Sequence, residues 1–254
     1  VYYIDNTHRE ERVMRNGAIV MLAAVSLAGC SIGNDDGPGI APTGSGTTRA
    51  YPAEAFDTIA LNGSDDVDVR AGPAFSVRAE GPSDELDTLR IARDGSTLSI
   101  GRHNRLFGWG SRDKVKVYVT LPRLGEANIA GSGTMAVDRI EGDRFAANVA
   151  GSGDLNVAAL RVDRAEVSIA GSGNVRAGGT IRRLEANIAG SGSLDAAGLR
   201  AGEAEVSIAG SGDVRAAVNG PAQISMLGSG DVDLGPQAIC KVSKMGSGSV
   251  RCAR

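Results

Sequence analysis

Residues 165–192 read AEVSIAGSGNVRAGGTIRRLEANIAGSG, and the return of Ile-Ala-Gly-Ser-Gly after 19 residues decides the fold. Gly-Ser-Gly occurs seven times between Gly131 and Gly248, starting at Gly131, Gly151, Gly171, Gly190, Gly210, Gly228 and Gly246, at spacings of 20, 20, 19, 20, 18 and 18. Before six of the seven copies apolar residues occupy alternate positions, as in Val167 and Ile169, with Ser168 between them. After each copy an apolar residue follows at a fixed place: Met135, Leu155, Val175, Leu194, Val214, Val232 and Val250. A period of two is the signature of strand, and a fixed repeat of this length signals a stacked solenoid. The sequence therefore predicts an all-β, single-stranded β-solenoid, or parallel β-helix, with coils of 18–20 residues. Two strands of each coil meet at a Gly-Ser-Gly corner, where glycine supplies positive φ, and the serines stack as a hydroxyl ladder. Ile169, Ile188 and Ile208 are expected one above another in the core.

The chain has 254 residues, 42% hydrophobic, with 36 glycines, 4% aromatic residues and a net charge of −3. A slender interior filled by Ala, Val, Ile and Leu suits this composition. The charge gives no argument for a nucleic-acid partner.

Residues 1–13 carry no pattern and read as upstream read-through. Met14-Arg15, the apolar run Ala18 to Ala28 and then Leu27-Ala28-Gly29-Cys30 have the layout of a bacterial lipoprotein signal over 14–29. Cys30 is its lipidation site, and Ser31 after it favours the outer membrane, on its periplasmic face or at the cell surface. Residues 30–50, rich in Gly, Pro, Ser and Thr, form a lipid-anchored flexible tether. Residues 51–254 form the solenoid, beginning with a less regular β segment that caps its N-terminal end.

Phe56-Asp57-Thr58-Ile59, the turn Asn62-Gly63-Ser64, Thr97-Leu98-Ser99-Ile100, Val117 to Leu124 and the repeated Ile-Ala-Gly-Ser-Gly resemble the head GIN domain family, an autotransporter-adhesin-like group. The resemblance covers Ala53 to Arg251. It implies a β-solenoid at a bacterial envelope and brings no catalytic residues.

Charged residues form rows. Asn156, Arg176, Asp195, Arg215, Asp233 and Arg251 fall on successive coils with alternating sign. Glu166, Glu185 and Glu205 stack like charges, which Arg164 and Arg183 are placed to relieve. The spread of carboxylates along the coils argues against one catalytic centre. Two functions follow: a non-enzymatic envelope lipoprotein with an adhesin-like or scaffold role toward a protein or glycan ligand, or a β-helix enzyme acting on polysaccharides. The first is favoured. No cofactor motif is present, since no Gly-Lys-Ser/Thr follows the glycine turns. His103 stands alone beyond position 14, which leaves zinc and Ser-His-Asp chemistry without parts, and the repeat length does not suit calcium-binding β-rolls.

One irregular loop, Arg102 to Arg112, joins Arg102, His103, Arg105, Phe107, Trp109 and Arg112 and is the candidate binding loop. The alternative is an apolar lid on the end of the solenoid. Cys240 and Cys252 fall on inward rows of opposite strands of the last coil and form an expected disulfide. Lys244 takes the place of the core Ile there, which marks that coil as the open end.

Overall fold

The computed structural model describes residues 39–103 and 113–253. The segments expected over residues 1–30, including the lipidation site Cys30, lie outside them. The strands are β1 (Thr48–Tyr51), β2 (Thr58–Gly63), β3 (Asp66–Ala71), β4 (Ser76–Glu80), β5 (Leu89–Asp94), β6 (Thr97–Arg102), β7 (Lys116–Leu121) and β8 (Glu126–Gly131). Then come β9 (Thr134–Gly151), β10 (Asp154–Gly171), β11 (Asn174–Gly190), β12 (Ser193–Gly210), β13 (Asp213–Val218), β14 (Pro221–Gly228), β15 (Asp231–Asp233), β16 (Ile239–Met245) and β17 (Ser249–Arg251). From β8 onward each coil pairs in parallel with the next, one repeat along the chain. This is the predicted β-solenoid.

Register converts the repeat into columns. Ile169 pairs with Ile188 and Ile188 with Ile208, all buried. On the opposite wall Leu155, Val175, Leu194, Val214, Val232 and Val250 form the facing column. A one-residue slip would turn both columns outward, so the core holds the register.

The two corner glycines are there for different reasons. The first has positive φ, for example +125° at Gly171 and Gly190, which residues with a Cβ resist. The second is buried where coils stack: a Cβ on Gly192 would lie 2.4 Å from the carbonyl oxygen of Gly173. The serines between them are exposed, and the corners are tied by main chain, as where Ser191 N–H donates to Gly171 O at 2.8 Å. The expected hydroxyl ladder is replaced by one a few residues on. Asn174 Nδ2 donates to Asp154 Oδ1 at 2.8 Å and Ser193 Oγ to Asn174 Oδ1 at 2.7 Å.

At the N-terminal end chain order and coil order part. The coil made by β2 and β3 is sandwiched between β6–β7 on one side and β8–β9 on the other, all in parallel. The outermost level is therefore β6–β7, and β5 and β4 pair antiparallel with it. β1 adds to β4, and the one-turn helix α1 (Ser83–Leu86) buries Leu86. These antiparallel strands form the irregular cap; their reversal stops the parallel ladder from continuing.

At the other end Cys240 lies over Ala222, which lies over Ala204, and is disulfide-bonded to Cys252 with Cα atoms 6.1 Å apart. Lys244 stacks on Met226, is exposed, and donates from Nζ to Gly248 O at 2.6 Å.

Two measurements test this packing. Ile188→Asp buries an unpaired charge between Ile169 and Ile208 and should prevent folding; a normal melt by circular dichroism would mean that the column is not the core. Cys252→Ala should lower stability by about 2–3 kcal/mol, as expected for a cross-link closing a short loop, with loss of hydrogen-exchange protection confined to the last coil.

Candidate functional site

Residues three places beyond the last corner glycine of each coil point outward, and register joins them into one row. The row begins at Arg78 on β4, crosses Tyr118 on β7, Asp68 on β3 and Ala136 on β9, and continues through Asn156, Arg176, Asp195, Arg215, Asp233 and Arg251. Sequence periodicity locates its last six members. Ala136 stands at the same place after the first Gly-Ser-Gly, whereas the first three members are hidden because their strands enter out of chain order. Arg78 and Lys116 lie over the Tyr118 ring, 4.7 and 5.2 Å from its centroid.

Stacked opposite charges do not close into a chain of ion pairs. Among the described residues Arg251 reaches Asp233 at 3.8 Å and Arg176 reaches only Asn156, at 3.5 Å. The face thus presents separated guanidinium and carboxylate groups. Beside them small residues, Ala158, Gly178 and Ala197, leave an open groove of about 830 Å³, with Asp68, Asp138 and Asp195 also on its lining. The groove forms where β10–β11 and β11–β12 shift register just after the row, at Val157 and at Arg176.

On the corner side of the row runs a second polar line, Asp154, Asn174, Ser193, Asp213, Asp231 and Ser249. Ser249 donates its Oγ and N–H to Asp231, and these bonds hold the Asp231 carboxyl below the usual aspartate range. On the other wall Glu166, Glu185 and Glu205 do stack, but relief comes from elsewhere than expected. Arg144 of the preceding coil reaches Glu166 at 2.5 Å, while Arg183 turns to Glu203 at 2.7 Å. Arg183 and Glu203 are register partners, so their pairing needs no reach along the strand.

The candidate binding loop divides. Arg102 is turned inward: its Nε donates to Asp65 at 2.8 Å, its guanidinium also reaches Glu85, and Nη2 donates to the Asp113 carbonyl at 3.0 Å. Asp65 is buried and accepts the Val115 N–H at 3.0 Å as well. The pair therefore clamps both ends of the segment between β6 and β7, and Arg102 is withdrawn from the binding surface. Hydrogen bonding to Asp65 keeps it firmly protonated. Asp65 can do this because it ends a Gly63-Ser64-Asp65 corner where later coils have Gly-Ser-Gly. His103 is exposed and its N–H donates to the Thr88 carbonyl. Arg105, Phe107, Trp109 and Arg112 lie outside the described residues.

A family model described as "Putative auto-transporter adhesin, head GIN domain" matches residues 55–238. The chain belongs to the head GIN domain family. A "putative adhesin" of Bacteroides fragilis is 21% identical, with a TM-score of 0.73 over 84% of this chain and 100% of that one. A "putative lipid binding protein" of Parabacteroides distasonis is 26% identical, with a TM-score of 0.62 over 84% and 98%. A "putative adhesin" of Parabacteroides merdae is 18% identical, with a TM-score of 0.63 over 86% and 100%. No functionally curated protein matches the sequence.

In this head GIN domain no three His, Cys, Asp or Glu side chains among the described residues could share a metal ion. No described helix is long and apolar enough to cross a membrane. The match ends at residue 238, just before the coil that carries the disulfide.

Arg102→Ala should cost about 3 kcal/mol in denaturant unfolding, the low end for stranding one partner of a buried ion pair. Arg102→Lys should recover only part of this, having no planar fork for two acceptors. An unchanged unfolding midpoint for Arg102→Ala would return this residue to the surface loop.

Proposed function

We propose that the chain is a non-enzymatic, adhesin-like binding module of the bacterial cell envelope, held to the outer membrane by a lipid on Cys30, which engages its partner through the charged row and groove. The observation that carries this reading is the row itself. Its polar groups are spread over successive coils at about 4.8 Å intervals, which suits recognition of an extended surface. A catalytic centre would instead converge nucleophile, base and stabilising donors on one atom. Membership of the head GIN domain family and the adhesin descriptions of two solenoid neighbours support the same reading. The N-terminal sequence supports the anchor, since Leu27-Ala28-Gly29-Cys30 follows a short apolar run.

Cys30→Ala should move the protein from the membrane fraction to the soluble envelope fraction. The Cys30→Ala protein, immobilised on beads, should retain intact cells of the producing bacterium. Arg176→Ala with Asp195→Ala should lower that retention roughly tenfold, as expected when a central charged contact is truncated. Equal retention by the double variant would remove the row from the reading, and release of soluble sugar from envelope polysaccharide would replace the reading with the enzymatic one.

A further inference from the structure

The charged row is complementary to itself. We infer that the partner engaged by this face is a second copy of the chain, bound face to face and antiparallel about a two-fold axis that runs along the strands between the Ser193–Asp195 and Asp213–Arg215 coils. This rests on the proposed binding role of the row and names its partner.

The argument starts from register. Asn156, Arg176, Asp195, Arg215, Asp233 and Arg251 occupy six successive coils. A two-fold axis at the middle of an alternating row of even length sets opposite charges against each other. Arg176 then meets Asp233 of the second copy, Asp195 meets its Arg215, and Asn156 meets its Arg251. Self-complementarity of one patch is what a two-fold interface requires.

The parallel line on the same six coils gives an independent check, because the same axis must suit it too. Asp154 falls opposite Ser249, Asn174 opposite Asp231, and Ser193 opposite Asp213, so each carboxylate meets a hydroxyl or an amide. The neighbouring registers do not. Moving the axis one coil toward the N-terminal end sets Asp154 against Asp213. Moving it one coil the other way sets Asp213 against Asp231. Placing it on a coil sets Asp195 against Asp195 or Arg215 against Arg215.

On the other flank of the row stand Ala158, Gly178, Ala197 and Ala217, small enough for the two faces to approach. The row's own charges are available for such contacts: among the described residues only Arg251 and Asp233 form an ion pair within it. Six coils of about 4.8 Å by a strand of about six residues cover on the order of 600 Å² per copy. That lies at the lower bound of specific interfaces and predicts a weak pair, sensitive to salt because its contacts are charged. Antiparallel rods place their N-terminal ends at opposite ends of the pair, so copies tethered by those ends would meet from two opposed surfaces.

The test is sedimentation of the full chain carrying Cys30→Ala, which keeps a lipid from driving association. Wild type should dimerise at low salt and dissociate as salt is raised. Asp195→Arg and Arg215→Asp should each weaken dimerisation roughly tenfold or more by setting like charges opposite at both symmetry-related contacts. An equimolar mixture of the two single variants should recover it, because each contact across a mixed pair then joins opposite charges. Melting curves verify that the variants are folded. If either is not, Arg176→Asp and Asp233→Arg supply the same exchange one coil out.

A wild type that stays monomeric at low salt overturns the inference, as do single variants that dimerise like wild type or a mixture no better than its components. A monomer whose coated beads still retain cells through Arg176 and Asp195 would reject the second copy and leave the adhesin-like reading standing. A dimer with charge-swap rescue but no cell retention would do the reverse.

Discussion

The structure depends on how closely one corner can sit on the next. A Cβ at the second glycine of Gly171-Ser172-Gly173 would stand 2.5 Å from the Gly153 carbonyl, inside van der Waals contact. Side-chain-free corners let the main chain of one coil hydrogen-bond directly to that of the next, as Ser172 N–H does to Gly151 O at 2.8 Å. Once the corners lie at hydrogen-bonding distance, both flanking strands follow at the spacing of a parallel sheet. The columns are then fixed: Ile on Ile inside, and outside both the alternating row from Arg176 to Arg251 and the stacked glutamates Glu166, Glu185 and Glu205. Corner and core specify the same register, a consistency across levels that yields one structure.

The same constraint shapes function. A rigid lattice repeating at about 4.8 Å along the axis turns single residues into lines, and an outward residue acts through the line it belongs to. Arg176 or Asp195 alone would be an ordinary surface charge of small energetic consequence. Held in a fixed order across six coils, such charges present a pattern that another surface can match or fail to match, and specificity resides in that difference. The small residues beside the row matter as much as the charges, because Ala158, Gly178 and Ala197 open the groove along which a partner can approach.

Sequence and structure agree where the repeat is strict. The Ile169–Ile188–Ile208 column, the alternating outer row and the place of Cys240 over Ala222 all follow from aligning repeats, because in-register stacking makes alignment and neighbourhood the same relation. They part where the repeat lapses. Nothing in residues 56–121 says that β6–β7 will lie outside β2–β3, since both segments alternate and either order buries the same apolar faces. Arg102 resembles a loop cation in sequence, and its partner Asp65 lies 37 positions away on a neighbouring level. One signal was available: Gly63-Ser64-Asp65 is a corner whose second glycine has become an acid, and an acid on an inward position calls for a buried partner. The second corner glycine also departs from the expectation, since φ > 0 explains only the first; crowding against the next coil becomes visible only when coils are stacked.

The two ends of the solenoid solve one problem in different ways. A parallel β coil left open exposes both its core and an unpaired strand edge. At the N-terminal end strands β4 and β5 reverse direction across the outermost level, and Asp65 with Arg102 closes its base, so both core and edge are covered. Among the described residues the C-terminal end has no such cover. Ile239, Val242 and Met245 are exposed at 70, 45 and 72%, and β16 has a free edge among the described residues. Here the chain relies on a covalent tie across the coil and on Lys244, which puts a charge where a neighbouring coil would need an apolar residue. A lysine on an edge is a device against further strand addition. It opposes end-to-end growth of the ladder at that edge.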